Sequence, residues 1–371
     1  MRFLFFAGGS YIGGLEVVTL SLMKELQNQG HECFSVISGW NDGKYSAKLT
    51  EAGIPHMCIK LGRFYLTKPV WNADGFLHFA GAARQLRSVI RRFCPDVVVL
   101  TSVEFAVTAL QVIPKSVPVV LHVHDVPSRH WSSLIGRYVL ARSRGIITVS
   151  DFIRDKVIAV AGSRISVRTV HNGAPSLEFV EKSDSAKLRI GIIGQLIARK
   201  KHDVLIDAVG LLSPHERAMI EVRIFGNDTT EYAATIRDMI QVNNLTEYFR
   251  WMGFVDSREE IYGDLDLVVA PAIEEPFGTT ILEAGSCGLP VVAARSGGFP
   301  EMAIDEETGL LIDPQSPSSL ATAISSLLNV SKRCRLGNAA KQHVRENFSQ
   351  SLAAANFSRS VASFLNNNGA S

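Results

Sequence analysis

Residues 271–290 read PAIEEPFGTTILEAGSCGLP, and this stretch carries the strongest signal in the chain. A predicted strand ends at Pro271, a turn rich in proline and glycine follows, and a short helix begins near Thr279. The first N–H groups of a helix have no partner within it, so they can bind an anion such as a diphosphate. Glu283 lies about one turn further along, on the same side as Thr279, and can accept hydrogen bonds from two ribose hydroxyls. Glu275, in the loop before the helix, can reach what lies beyond the phosphates.

Predicted strands and helices alternate throughout the chain. Short apolar or β-branched runs, separated by stretches of helical period, are typical of βαβ units that form a parallel sheet. In the first half the predicted strands are Arg2–Ala7, Glu32–Ser38, Met57–Leu61, Asp96–Thr101, Pro118–Val123, Gly145–Val149 and Val167–His171. The pattern starts again at Lys187, with predicted strands at Leu188–Gly194, Glu221–Phe225, Phe249–Met252, Leu267–Pro271, Pro290–Ala294 and Leu310–Ile312.

The repeated pattern predicts two Rossmann-like α/β domains that face each other across a cleft. We place the first domain at residues 1–178 and the second at residues 179–349, with a serine-containing link around Ala174–Ala186. The tail is predicted to be helical, and we expect the helix at 350–366 to rejoin the first domain.

The helix after the first strand has the clearest apolar period. Leu15, Val18, Leu22 and Leu26 recur at steps of three and four, which predicts that they form its buried face. Gly30 follows as a C-cap.

Composition excludes several classes of protein. The chain has 371 residues, of which 46% are hydrophobic and 20% charged, so a disordered or fibrous protein is excluded and two cores are expected. The five cysteines are scattered, without a metal-ligand spacing. No apolar run reaches the ~18 residues of a membrane span, and the apolar N-terminal run is shorter than a signal-peptide core. We therefore expect a cytoplasmic protein.

Residues 7–16 read AGGSYIGGLE and form a second glycine-rich junction, directly after the first strand. Glycines allow the backbone to approach a ligand closely, and a nicotinamide dinucleotide is the first candidate. The fingerprint G-x-G-x-x-G is absent, because Ser10 stands two positions after Gly8, and the second strand ends at Ser38 without an acidic residue. We therefore reject a dinucleotide, and a plain tight turn remains the alternative.

These stretches together resemble the retaining glycosyltransferases of family 4, which have the two-domain GT-B fold. The hallmark of that family is a pair of glutamates with seven residues between them, which Glu275 and Glu283 match. Further matching stretches lie in the family's order along nearly the whole chain. They are Gly13–Glu16, His124–Asp125, Asn172–Gly173, Gly194–Asp203, Phe225–Gly226, Gly253–Phe254 and Ser296–Glu301.

The resemblance implies a retaining hexosyltransferase that takes its sugar from a nucleotide-diphosphate sugar and gives it to a glycan, a lipid-linked sugar or a small molecule. Glu275 would face the donor sugar, His124 would bind the transferred sugar, and Lys200 would neutralise the departing diphosphate. These three residues are the expected catalytic set. The expected donor-binding set is Gly13, Gly14, Gln195, Lys200, Phe254, Val255, Glu275, Phe277, Gly278, Thr279 and Glu283.

One position departs from the family pattern. Where the family has an arginine directly after the glycine of its phosphate loop, this chain has Gln195 after Gly194. A neutral amide can donate a hydrogen bond to a phosphate but does not offset its charge. Arg199 and Lys201 are candidates to supply the missing cation, although runs of basic residues are commonly solvated.

We expect neither a metal nor a resident cofactor. His122 and His124 alternate at the end of one predicted strand, but the sequence offers no third ligand for a metal site. Asp264 and Asp266 form a D-x-D pattern at the start of the strand before Pro271, at the end of the sheet opposite to ligands. We therefore interpret both carboxylates as structural.

The acceptor is less well defined by the sequence. Residues 1–180 carry a net charge of +8 against −6 for the remainder. Arg84, Arg87, Arg91 and Arg92 lie on one predicted helix face, opposite an apolar face with Leu86, Val89, Ile90 and Phe93. Such a face is usually solvated, but it can also contact anionic lipid, and the aromatic stretch from Arg63 to Trp71 favours this peripheral membrane contact. No nucleic-acid recognition motif accompanies the charge.

Two other functions would use a nucleotide bound between two such domains. A nucleotide-sugar epimerase or isomerase of the same shape is one, and the ordered family set distinguishes it from a transferase. The other is a non-catalytic nucleotide-sugar sensor, which Gln195 would favour.

Overall fold

A computed structural model describes residues 1–7, 12–61, 69–162, 165–175, 177 and 186–366. Its contacts divide the chain into two compact units. Unit 1 runs from Met1 to Gly173 and resumes at Gln350, and unit 2 comprises Ala174–Ser349. The predicted boundary at 178/179 and most of the predicted link lie outside the described residues.

Unit 1 contains a parallel sheet of seven strands. They are β1 Arg2–Phe6, β2 Glu32–Ser38, β3 His56–Ile59, β4 Val97–Leu100, β5 Val119–Val123, β6 Gly145–Thr148 and β7 Val167–Thr169. The helices of this unit are α1 Gly14–Asn28, α2 Lys44–Glu51, α3 Pro69–Phe93, α4 Val103–Leu110, α5 Leu134–Arg142 and α6 Asp151–Ala161. The strand order is β3-β2-β1-β4-β5-β6-β7, and every pairing is parallel.

Unit 2 repeats this architecture with six strands in the order β10-β9-β8-β11-β12-β13, again all parallel. The strands are β8 Leu188–Ile193, β9 Ile220–Phe225, β10 Phe249–Gly253, β11 Leu267–Ala270, β12 Val291–Ala294 and β13 Gly309–Ile312. The helices are α7 His202–Leu211, α8 Pro214–Ala218, α9 Glu231–Val242, α10 Arg258–Gly263, α11 Thr279–Ser286, α12 Phe299–Met302, α13 Pro317–Ser326 and α14 Val330–Asn347.

The strand predictions are confirmed for every predicted strand, and no end differs by more than two residues. Strands β4, β5, β6, β11 and β12 are buried at every position, because helices cover both faces of each sheet. Their apolar runs are therefore continuous and easily recognised in the sequence.

The last helix, α15 Gln350–Asn366, contributes side chains to the core of unit 1. Phe357 lies 6.1 Å from the ring of Phe5 and is 1% exposed. The ring of Phe364 lies directly over Gly145, where a Cβ atom would come within 2.6 Å of it.

The predicted buried face of α1 is only partly right. The side chains that the structure buries on this helix are Glu16, Thr19, Met23 and Leu26. Leu15, Val18 and Leu22 are partly buried instead. Helix α15 also packs against α1. Gly30 follows the C-cap Gln29 with a left-handed φ of 81°, as a residue that ends a helix should.

Candidate functional site

The predicted donor residues of unit 2 lie where the order of strands reverses. From β8 the sheet continues to β9 on one side and to β11 on the other. Loops that leave two such strands diverge, and the crevice at their carboxyl ends is where open α/β sheets bind ligands. Lys200 follows β8 and Glu275 follows β11.

Glu275 is held by two cations. Lys200 Nζ lies 3.1 Å from both carboxylate oxygens, and Arg199 Nη1 lies 2.6 Å from Oε2. The side chains of Glu275 and Lys200 are 15% and 17% exposed, whereas that of Arg199 is 38% exposed. Two positive charges against one negative leave the cluster with a net positive charge, so it favours an incoming anion.

Local backbone geometry places Lys200 beside Glu275. Gly194 ends β8 with a φ of 140°, and a Cβ atom there would lie 3.3 Å from Lys200 Cε. The chain then makes a short 3-10 turn over Ala198–Lys200. The N–H of Ile273 donates to the carbonyl of Arg199 at 3.1 Å, which ties the loop after β8 to the loop after β11.

A second loop, after β12, holds the backbone of Glu275 in place. The N–H of Gly298 donates to the Glu275 carbonyl at 2.8 Å, and the Ser296 hydroxyl accepts from the N–H of Glu274 at 3.0 Å. At Gly297 a Cβ atom would come within 2.4 Å of the Glu275 carbonyl oxygen, and its φ is 63°. The two loops therefore touch backbone to backbone, which explains the glycines of this stretch.

The N-terminus of α11 is open. Its N-cap is Gly278, which has a φ of 116° and supplies no capping side chain. The N–H of Ile281 donates to the Gly278 carbonyl at 3.0 Å, and among the described residues no acceptor is seen for the N–H groups of Thr279 and Thr280, which can therefore bind another acceptor. Phe299 packs against Gly278 so closely that a Cβ atom would lie 2.7 Å from its ring.

Glu283 is buried and hydrogen-bonded. It is 8% exposed, Arg258 Nε donates to Oε1 at 2.6 Å, and the Tyr262 hydroxyl donates to Oε2 at 2.7 Å. Burial, and then the negative charge of Glu283, raises the pKa of Tyr262 well above its usual value, so the phenol keeps its proton. Each oxygen of an ionised carboxylate has two lone pairs, so Glu283 retains capacity for further donors. Glu283 is therefore not a solvated carboxylate on the helix surface.

The remaining predicted donor residues of unit 2 lie at the same end of the sheet. Phe254 and Val255 follow β10, and the Phe254 side chain is 77% exposed, which is unusual for an aromatic ring. Gln195 directly follows Gly194 and is exposed. Phe277 is buried beneath the loop that leads to α11.

Asp264 and Asp266 lie at the opposite end of the sheet, as predicted. Asp266 Oδ2 accepts from the backbone N–H of Arg189 at 2.9 Å and from its Nε at 3.1 Å. Asp264 pairs with Arg189 and, at 2.6 Å, with Arg223. Both carboxylates therefore have the structural role expected for them.

The predicted site residues of unit 1 lie after the carboxyl ends of β1 and β5. Gly13 caps α1 and Gly14 begins it, both exposed, and the N–H of Gly13 donates to Glu16 Oε2 at 2.9 Å. His124 Nε2 lies 3.1 Å from His122 Nδ1. Burial lowers the pKa of His124 to about 3 and that of His122 well below its usual value, so both rings are neutral at physiological pH.

A cavity of about 290 Å³ opens beside His124. It is lined by Leu15 of α1, by Thr101 and Ser102 after β4, by Asp125 after β5, and by Trp131 from the turn that follows. In the part of the chain that the structure describes, no group of three metal-ligating side chains comes together. Gly8, Gly9, Ser10 and Tyr11 of the first glycine-rich junction lie outside the described residues.

Two protein-family profiles together match residues 12–343, which include the site residues described above. The profile described as "Glycosyltransferase Family 4" matches residues 12–175, and "Glycosyl transferases group 1" matches residues 175–343. This chain belongs to glycosyltransferase family 4.

Relatives carry glycosyltransferase names, and solved structures share the fold of this chain. A D-inositol 3-phosphate glycosyltransferase of Corynebacterium jeikeium is 30% identical over 53% of this chain and 52% of its own length, so the chain spans about half the length of such relatives. An uncharacterized glycosyltransferase of Methanocaldococcus jannaschii is 25% identical over 91% of both chains. Anabaena HepE in complex with UDP superposes with a TM-score of 0.79 at 20% identity, covering 98% of this chain and 100% of that one. A Rickettsia africae glycosyltransferase gives 0.77 at 18% identity, covering 99% of both chains, and the fold is GT-B.

Two site residues of this family 4 chain were missed in the sequence. Arg258 and Tyr262 are four positions apart on α10 and donate to opposite oxygens of Glu283. Their spacing places them on one helix face, a signal that was available, but nothing in the sequence indicates which carboxylate that face meets. Ser296 lies in the matching stretch Ser296–Glu301, and its hydroxyl accepts from the N–H of Glu274, a contact that the sequence does not indicate.

Proposed function

We propose that this protein is a retaining glycosyltransferase that moves a hexosyl unit from a nucleotide-diphosphate sugar to a glycan, a lipid-linked sugar or a small molecule. The observation that carries the proposal is the pairing of Lys200 and Arg199 with Glu275, beside the uncapped N-terminus of α11. A diphosphate would take the positive helix end and the cations, and its sugar would lie against Glu275. Complexes of Anabaena HepE with UDP and with UDP-glucose support a donor of this chemical class.

The rest of the donor would extend along the same edge of unit 2. Glu283, oriented by Arg258 and Tyr262, would accept the two ribose hydroxyls. The base would lie near Phe254 and Val255, and stacking on the exposed ring of Phe254 would remove that ring from water. Gly13 and Gly14 would let the backbone of unit 1 approach the phosphates closely, and Gly14 would offer its N–H, since that of Gly13 already donates to Glu16.

The proposed chemistry needs no protein nucleophile. Glu275 is ion-paired to two cations, which makes its carboxylate a poor nucleophile. We therefore infer same-face attack, in which the acceptor hydroxyl enters as the diphosphate departs and the departing phosphate oxygen takes its proton. Lys200 and Arg199 would stabilise the charge that develops on that oxygen, and neutral His124 would hydrogen-bond the transferred sugar.

We also propose that the reaction proceeds without a metal ion, since side-chain cations stand where the diphosphate charge would develop. Chelator treatment tests this directly. Unchanged turnover in excess EDTA is expected, and a loss that added Mg²⁺ or Mn²⁺ restores would contradict it.

A panel of nucleotide-sugars and simple acceptors tests the function. We expect glycosyl transfer, or slow donor hydrolysis, with one donor, and Glu275→Ala should abolish it. Epimerised donor without transfer would identify the isomerase alternative instead. Nucleotide binding without any turnover would identify the sensor.

We further propose that unit 1 makes peripheral contact with an anionic membrane, which would bring the site to lipid-linked acceptors. The aromatic stretch first considered for this contact, Arg63–Trp71, lies outside the residues whose side chains the structure describes. Within the described residues, no helix has both the length and the apolar character needed to cross a bilayer.

A further inference from the structure

Helix α3 exposes two large apolar side chains side by side. Phe76 is 72% exposed and Leu77 is 83% exposed. The opposite face packs into unit 1 in the ordinary way, with Leu86 at 0% and Val89 at 2% exposure. Phe76 and Leu77 are therefore not part of the core, although exposing their apolar surface to water is unfavourable.

Arginines continue the same exposed face. At 3.6 residues per turn, Phe76, Leu77, Arg84, Arg87 and Arg91 fall within about 100° of arc, and they span roughly 22 Å of helix. These five residues are called the α3 patch below. Its apolar pair lies at one end and its charges follow toward the C-terminus of the helix.

The α3 patch carries an excess of positive charge. Helix α3 contains four arginines and one acidic residue, Asp74. In the described part of the chain, no salt bridge joins Arg84, Arg87 or the neighbouring Arg92 to a carboxylate, and Arg91 Nε only reaches the Arg87 carbonyl at 3.4 Å. A surface of this kind complements a partner that is itself anionic.

A tryptophan and a lysine lie next to α3. The ring of Trp40 meets that of His78 edge to face at 5.9 Å, and Lys60 Nζ lies 5.8 Å from the Trp40 ring centre. His78 lies about 150° around the helix from the centre of the α3 patch, on the side of Val89, so Trp40 and Lys60 pack against α3 away from the patch and are not part of it.

We infer that the α3 patch binds an anionic lipid bilayer, with α3 lying in the plane of the membrane. Phe76 and Leu77 would enter the boundary between headgroups and acyl chains, and Arg84, Arg87 and Arg91 would contact lipid phosphates. A nucleic acid would also attract the arginines, but it offers no apolar layer for Leu77. The inference names the surface for the proposed membrane contact and does not depend on the transfer reaction.

Vesicle co-sedimentation of the full chain tests the inference. Wild type should sediment with phosphatidylglycerol-containing vesicles at low salt, and much less with pure phosphatidylcholine. Phe76→Ser combined with Leu77→Ser should weaken the binding about tenfold. Arg84→Gln and Arg87→Gln should each weaken it about fivefold and reduce its salt dependence.

Matched controls separate the patch from general surface effects. Val242, 79% exposed on α9 of unit 2, is the apolar control as Val242→Ser, and Lys24→Gln on α1 is the charge control; both should bind like wild type. Nucleotide-induced thermal shift shows that each variant is folded. Any of three results would overturn the inference. The Phe76/Leu77 change could leave vesicle binding unaffected, wild type could fail to bind vesicles at low salt, or RNA could displace the vesicles. A chain that transfers no sugar but shows the expected vesicle pattern would contradict only the proposed function.

Discussion

Replacing Arg199 tests whether its charge compensates for Gln195, which stands where the family has an arginine. Its guanidinium lies 2.6 Å from Glu275 Oε2, beside Lys200, at the place where we put the donor diphosphate. If both cations serve the diphosphate, Arg199→Gln removes one of two charges facing it and leaves Lys200 balanced by Glu275. The affinity for nucleotide diphosphate should therefore fall, while the folded structure, which keeps Lys200 on Glu275, should be little affected.

The expected size follows from the exposure of the side chain. Two unit charges about 4 Å apart near a protein surface interact by about 4 kcal/mol, before solvent screening reduces this. Because Arg199 is 38% exposed, we reduce this interaction energy by about half, to roughly 2 kcal/mol. This value lies within the range of about 1.5–3 kcal/mol that is typical of a hydrogen bond to a charged group. About 2 kcal/mol corresponds to a dissociation constant roughly thirtyfold larger.

The assay is isothermal titration calorimetry with the nucleotide that gives the largest thermal shift among UDP, GDP and ADP. Lys201→Gln is the matched control, because Lys201 is adjacent but turns toward Asp203 at 3.9 Å, and it should change affinity less than twofold. Adding Gln195→Arg to Arg199→Gln should restore much of the loss, since position 195 also follows β8. Unchanged affinity in Arg199→Gln, or an equal loss in Lys201→Gln, would refute the assignment.

Three further predictions follow from the described contacts. Tyr262→Phe removes the donor to Glu283 Oε2, and should cost about 1–3 kcal/mol of unfolding free energy and weaken nucleotide binding several-fold, measured by denaturation and calorimetry; equal affinity would contradict the orienting role. Phe357→Ala should destabilise unit 1 by about 3–5 kcal/mol, seen as faster hydrogen exchange in β1, with unit 2 unaffected. Burial lowers the pKa of His202 from 6.5 to about 4, so the unfolded chain binds the proton first and stability should fall as pH drops from 6.5 toward 4. His202→Leu should flatten this dependence, and an unchanged pH profile would count against it, as neither ring nitrogen has a hydrogen-bond partner among the described residues.

The sequence was most informative where local rules decide the structure. Buried parallel strands such as β4 and β5 are continuous apolar runs, so their positions could be read directly. The start of α11 at Thr279 followed from the glycine before it. The buried face of α1 was harder, because α1 packs against α15, a helix more than 320 residues later, and the helical period of α1 alone does not reveal that contact.

The sequence predicted which residues belong to the site, but not which of their side chains contact one another. The positions of Lys200 and Glu275 after neighbouring strands could be inferred, yet their contact depends on loops from β8 and β11 that meet in space. Arg199 could equally have been solvated. The burial of Glu283 against Arg258 and Tyr262 depends on how α10 packs beside α11, which residue spacing does not specify.

A crystal structure with the selected nucleotide bound tests the central claim most directly. The account predicts phosphate oxygens within hydrogen-bond distance of the Thr279 N–H and Lys200 Nζ, with a ribose hydroxyl on Glu283. A nucleotide bound at full occupancy elsewhere, with Lys200 and Arg199 still on Glu275 and the α11 N-terminus facing water, would contradict it.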